Sequence, residues 1–168
     1  MLSKAVQDAM NEQIKNELFS AYQYLSMVAY CESENLPGFA RWMRAQAREE
    51  LQHAMKFYDF VLERNGRVAL QAVDAPLGEF GSPLEVFEKA LEHEQKVTAM
   101  INNLYGLAAR ENDYASQTFL QWFVTEQVEE EDSISSLLQV AERVREFPMM
   151  LEEFLARDGD SLGARDGA

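Results

Sequence analysis

Four glutamates stand where four helices should be driest. Successive helical positions turn about 100°, so offsets of 7 and 11 residues return within about 20° of the start. On that wheel Glu17 shares a line with Met10 and Tyr24, and Glu50 with Phe39, Met43, Phe57 and Val61. Glu94 lines up with Phe87, Ile101 and Tyr105, and Glu130 with Phe119, Phe123, Leu137 and Ala141. A carboxylate buried without a partner costs on the order of several kcal/mol or takes up a proton. A single case is often a stripe-edge residue that reaches water. Four together, one per helix and each near mid-helix, call for a shared cation. Lysine and arginine are nearly absent from these stripes, so a bound metal fits best.

His53 follows Glu50 by three residues and lies on the same face, giving Glu50-Leu51-Gln52-His53. Such a pair can hold one metal through both side chains, although E-x-x-H alone also arises by chance. The other histidine, His93, stands beside Glu94 but about 100° away, which suits a surface or supporting position. Several carboxylates with one imidazole suit iron or manganese better than structural zinc, which prefers cysteine and histidine. A second acidic cluster, Thr125-Glu126-Gln127-Val128-Glu129-Glu130-Glu131, puts Gln127 and Glu130 toward the centre and Glu126 and Glu129 beside them. With Glu49 these could form a third metal position. Glu131 and Asp132 read as solvated charges.

The elements that must position these residues are legible from caps and breakers. Helices are expected over about 3–33, 38–64, 83–112 and 113–147, with a short fifth from Pro148 to about Arg157. Asn35-Leu36-Pro37-Gly38, Asn65-Gly66 and Pro148 are the stops, and Ser82-Pro83-Leu84-Glu85 is a capping box with proline at the first helical position. Short first and third connections make antiparallel pairs. Residues 66–82 are longer: at about 3.3 Å per residue they reach roughly 55 Å, against on the order of 40 Å for the second helix. That segment can run the length of a bundle, packing Val68, Leu70 and Val73 as it goes. The expected fold is all-α, a four-helix bundle with one long crossover and a short fifth helix. One domain is expected over 1–157, with a flexible tail over 158–168.

Composition narrows the function. The 168 residues carry a net charge of -14, which repels nucleic acid and attracts cations. A lone cysteine, Cys31, excludes an internal disulfide. No apolar run approaches a membrane span, and the start, MLSKAVQDAMNE, has no signal-like apolar core, so the cytoplasm is expected.

The pattern Glu17 … Tyr24 … Glu49-Glu50-x-x-His53 … Glu94 … Gln127-x-x-Glu130 resembles the ferroxidase centre of bacterial and archaeal non-haem ferritins. The resemblance spans nearly the whole chain, including NEQIKNELFSAYQYLSM, REELQHAMKFYDFV and LQWFVTEQVEEED. It implies one iron on Glu17, Glu50 and His53. It implies a second on Glu50, Glu94 and Glu130, with Glu50 bridging and Gln127 close by. A third site on Glu49, Glu126, Glu129 and Glu130 is also implied. Tyr24 matches the tyrosine beside the centre, and Trp122 is a further redox-active candidate. Fe(II) with O2 or H2O2 would be the substrates, and twenty-four identical subunits would form a hollow cage around an iron mineral. The fifth helix would line its four-fold axes.

Relatives differ by what is missing here. Gln127-x-x-Glu130 lacks the second histidine of bacterioferritins and rubrerythrins. Leu51 replaces the methionine that binds haem in bacterioferritins, so no haem is expected. One cysteine cannot build a rubredoxin-like site, and miniferritins lack a fifth helix of this kind. The alternatives are another di-iron carboxylate peroxidase or oxidase on the same bundle, or a non-enzymatic helical scaffold.

Overall fold

The computed structural model describes residues 1–163, with side chains through Arg157. Among them all regular structure is helical: α1 Lys4–Ser33, α2 Pro37–Glu63, α3 Pro83–Arg110, α4 Tyr114–Arg143 and α5 Pro148–Gly163. The expected four-helix bundle with a crossover and fifth helix is the fold. No described helix is long and apolar enough to cross a membrane.

Local chemistry sets the ends. Ser3, Ser82 and Asp113 cap α1, α3 and α4, each accepting a backbone N–H three residues ahead. The first three helices stop at an asparagine in the left-handed region: Asn35, Asn65 and Asn112, with φ of 57°, 56° and 55°. In each case the next residue's N–H reaches back to a carbonyl five positions earlier: Leu36 to Cys31, Gly66 to Val61, and Asp113 to Ala108. This motif satisfies carbonyls that the helix end would orphan. α4 has no such asparagine. It ends at Arg143, four residues before Phe147, because a residue preceding proline is pushed out of helical geometry and the chain must bend into α5. α5 continues to Gly163, so 158–163 extend that helix rather than starting a loose tail. The rest of the expected tail, 164–168, lies outside the described residues.

The crossover runs beside α1 in the same direction. Asn11 donates to Arg67 O and accepts from Ala69 N, and Gln7 accepts from Arg67 N. Gln23 donates to Leu77 O and accepts from Leu77 N, and Ser26 also donates to Leu77 O. Side-chain amides thus pair with the crossover's main chain as a neighbouring strand would. α3 is returned parallel to α2. Val68 packs as expected, but Leu70 is 67% exposed, because amides rather than apolar contacts hold this strap.

The core is in two parts. One apolar cluster holds Met27, Phe39, Trp42, Met43, Phe87, Ile134 and Leu151, and the other Met10, Ile14, Phe57, Ile101, Leu120 and Phe123. Between them the helices carry buried Glu17, Glu50, His53, Glu94, Gln127 and Glu130.

α5 supplies what α2 lacks. Leu36 gives α2 no side-chain cap, and Glu152 from α5 accepts the N–H groups of Gly38 and Phe39 instead. Gly38 is required by the close approach: a Cβ there would meet Glu152 O at 2.6 Å and Ala156 N at 2.7 Å. Glu152→Ala should lower stability by about 1–2 kcal/mol, the size of a lost N-cap. Gly38→Ala should cost more, since main chain rather than a flexible side chain must move. Thermal unfolding, with protease cutting at the α4–α5 elbow, checks both; unchanged melting in both variants would show that α5 is not anchored through this contact.

Candidate metal centre

The four glutamates do converge. Glu17, Glu50, Glu94 and Glu130 are 1%, 0%, 0% and 5% exposed, and they arrive from four different helices. Their partners differ, and the differences carry chemistry. Glu94 is fully engaged: Tyr24 donates its hydroxyl to Oε1 at 2.7 Å and Gln127 Nε2 donates to Oε2 at 3.1 Å. Glu17 is half engaged, with Gln13 donating to Oε1 at 2.7 Å and Oε2 left without a hydrogen bond. Glu50 has both oxygens buried without an amide or hydroxyl donor, its close neighbour being the Glu17 carboxyl.

His53 completes the group. Its Nδ1 lies 3.8 Å from Glu17 Oε2 and 3.6 Å from Glu50 Oε1. These gaps are too long for hydrogen bonds. They suit atoms that share a cation bound at about 2.1 Å from each. One ligand atom from each of Glu17, Glu50 and His53 falls within 4.8 Å of the others, and the same holds for His53, Glu126 and Glu130. The imidazole therefore belongs to two adjoining groups of potential ligands.

Electrostatics agree with an incomplete site. Burial, then the neighbouring carboxylates, push Glu17, Glu50 and Glu130 well above the usual carboxylate range. Glu94 is raised less emphatically, since burial is opposed by the Tyr24 and Gln127 hydrogen bonds. Burial, opposed by His53 and reinforced by Glu126, lifts Glu49 to about 7. Burial and Glu94 hold the Tyr24 phenol protonated, so it acts as a donor. A cation among these oxygens would reverse the penalty.

The outer cluster is less uniform. Glu49 is half-buried with its carboxyl against that of Glu130. Glu126 is half-buried and joins His53 and Glu130. Glu129 is half-buried on α4 but belongs to neither three-residue group. Glu131, expected as a solvated charge, is half-buried and accepts a hydrogen bond from the Thr98 hydroxyl. Thr98 in turn accepts from Gln127 Nε2 at 3.2 Å, so α3 and α4 are laced together beside Glu94.

The supporting residues were hard to see in sequence. Gln13 stands one turn before Glu17 and Thr98 one turn after Glu94, and helical spacing alone could have nominated both. His93 could be placed only as a supporting residue. Its Nε2 lies 2.7 Å from Ser20 Oγ, and that hydroxyl already donates to Asn16 O. The hydroxyl has one proton for these two acceptors, so where it serves Asn16 the imidazole donates through Nε2, and where it serves His93 the ring accepts. Its ring stands edge-on to Tyr24, with centroids 6.4 Å apart.

Known proteins share this architecture. A ferritin-like domain model matches residues 7–144. A bacterial non-heme ferritin of Staphylococcus aureus (strain USA300) is 40% identical over 144 residues, covering 86% of this chain and 87% of that protein. One from Bacteroides fragilis (strain 638R) is 42% identical over 143 residues, covering 85% and 90%. An open-pore ferritin from the hyperthermophilic archaeon Archaeoglobus fulgidus superposes with a TM-score of 0.91 at 45% identity, covering 98% of both chains. A closed form of that archaeal ferritin, engineered by site-directed mutagenesis, gives 0.92 at 44% identity over the full length of both.

Proposed function

This chain belongs to the ferritin family, and on that premise we propose that it oxidises Fe(II) at a centre within each subunit and stores the product. The observation that carries this reading is Glu50: a fully buried carboxyl at the meeting point of four helices, with no amide or hydroxyl donor to either oxygen and the Glu17 carboxyl beside it. Such a group fits a bridge between two irons. Glu17, Glu50 and His53 would hold one iron. Glu50, Glu94 and Glu130 would hold the other, with Gln127 keeping Glu94 in place.

The reaction balances within this site. Two Fe(II) ions supply two electrons. O2 with two protons becomes H2O2, or H2O2 with two protons becomes two waters, and two Fe(III) remain. Carboxylates stabilise Fe(III) more than Fe(II) and so favour the oxidation. Tyr24, protonated and bonded to Glu94, adds a donor beside the second iron. Partly open coordination lets Fe(III) leave for the store. The net charge of -14 draws Fe(II) inward. Leu51 stands where bacterioferritins carry their haem-binding methionine, so haem is left out of this proposal, and the lone buried Cys31, its thiol pushed by burial to about 12, suits a reducing cytoplasm. Twenty-four copies of a 19.2 kDa chain would make a cage of about half a megadalton.

Aerobic Fe(II) mixed with the metal-free protein should be oxidised much faster than in buffer, with the fast phase saturating at two irons per chain. Oxidation no faster than in buffer would defeat the reading. Glu49, Glu126, Glu129 and Glu130 would form an outer site fed by this centre. Glu126→Ala should leave that two-iron phase intact and slow the turnover that follows it, with a larger effect than Glu129→Ala because Glu126 stands next to His53. Turnover identical to wild type in both variants would make these residues ordinary surface charges.

A further inference from the structure

Trp122 stands between the metal centre and solvent. Its ring meets the His53 ring edge-on, with centroids 5.4 Å apart and planes at 77°. The ammonium of Lys56 lies 3.4 Å from the centroid of the same indole. Lys56 is exposed, Trp122 half-buried and His53 buried, so the three form a file from water to the centre. Lys56 and His53 are three residues apart on α2 and so share a face of that helix.

Indole is among the most easily oxidised side chains, and this one touches a residue assigned to iron. A cation over the ring attracts the electron-rich neutral indole and repels the ring once it has lost an electron. We propose that Lys56 is a positioning residue that keeps Trp122 reduced, confining oxidising equivalents to the metal centre. The inference rests on the ferroxidase reading above.

The step held in check can be written in full. Trp122 first gives up one electron, becoming the indole radical cation that the Lys56 ammonium repels, and then releases its Nε1 proton to leave a neutral indolyl radical. Fe(II) gives up one electron and becomes Fe(III). H2O2 takes both electrons, the indole proton and one proton from water, and becomes two waters. Losing Lys56 makes the first of these losses easier and leaves the iron ligands untouched.

The chain contains only two tryptophans, so Trp42, buried against Phe87, serves as an internal reference. Wild type, Lys56→Met and Lys56→Arg are cycled with Fe(II) and H2O2, and oxygen adducts on Trp122 are counted against Trp42 by peptide mass spectrometry. Lys56→Met should raise that ratio roughly fivefold, which corresponds to about 1 kcal/mol of an exposed cation–π contact. Lys56→Arg, which retains the cation, should stay at the wild-type ratio, and the initial rate of Fe(II) oxidation should be the same in all three. Equal Trp122 oxidation in the three proteins, with Fe(II) consumed normally, overturns the role of Lys56 alone. A parallel arm photo-oxidises the metal-free proteins with a ruthenium(III) bipyridyl oxidant. Should wild type fail to oxidise Fe(II) at all, the ferroxidase reading falls and this arm still decides about Lys56: faster Trp122 loss in Lys56→Met supports it, and equal loss overturns it.

Discussion

Glu50→Ala should abolish rapid Fe(II) oxidation while the bundle still folds. Residues that merely orient metal ligands typically cost 10–100-fold on removal, so a ligand shared by two irons should cost more than about 100-fold. Glu50 is the only one of the four central glutamates with both oxygens buried and free of any amide or hydroxyl donor, so its loss removes the bridge at the expense of its carboxyl–carboxyl contact with Glu17 alone. Glu94→Ala differs, because Tyr24 and Gln127 would each lose an acceptor. Stopped-flow oxidation separates the two, and a wild-type rate in Glu50→Ala would end the di-iron assignment. Glu50→Gln refines the test. Its shape is retained without a titrating proton, so above pH 4.5 the metal-free variant should melt above the metal-free wild type, whose folded state must hold a proton on Glu50 that the unfolded chain releases.

The metal-free protein should lose stability as pH rises from 4.5, and metal should restore it. Glu17, Glu50 and Glu130 are all raised above the ordinary carboxylate value of 4.5 by burial, and Glu49 to about 7. Above that ordinary value the unfolded chain has released these protons while the folded chain still holds them. The unfolded state then binds fewer protons, so the free energy of unfolding falls with pH. The contribution is complete below pH 4.5 and is lost upward, through about 7 for Glu49, with Glu17, Glu50 and Glu130 shifted in the same direction. A bound cation displaces those protons. Zn(II) titrated into metal-free protein in weak buffer should release at least one proton per chain. At a hundredfold excess over the dissociation constant it should stabilise the fold by about 2.7 kcal/mol, a melting shift on the order of 5–10 °C. Neither proton release nor a shift would mean that the glutamates do not act as one site. Both effects should shrink in Glu50→Gln.

Much of this was legible in the chain itself. Helical periodicity is strict enough that one glutamate per apolar stripe can be read without coordinates, and four cases make a site where one would not. The caps Ser3 and Ser82, the turn asparagines and the length of the crossover are local features, and local features set helix ends and pair order. Ligand type follows from residue type, so a carboxylate-rich site with one imidazole was predictable.

Tertiary packing decided the rest, because distances between helices are not encoded in any one helix. Only the packed bundle distinguishes Glu94, gripped by Tyr24 and Gln127, from Glu50, left open. Only there does His53 stand between Glu17 with Glu50 on one hand and Glu126 with Glu130 on the other. Glu131 was indistinguishable from a solvated charge until α3 brought Thr98 against it. Leu70 offered an apolar side chain to a crossover that is held by Asn11, Gln7 and Gln23 instead. Glu152 had no local sign of a role, since the helix it caps begins 115 residues earlier at Pro37. Sequence determined which residue types face the centre, through a periodicity every helix obeys. Structure decided which of their atoms lack an amide or hydroxyl partner, because that depends on side chains reaching across from other helices, and it left the oxygens of Glu50 the most open to a cation.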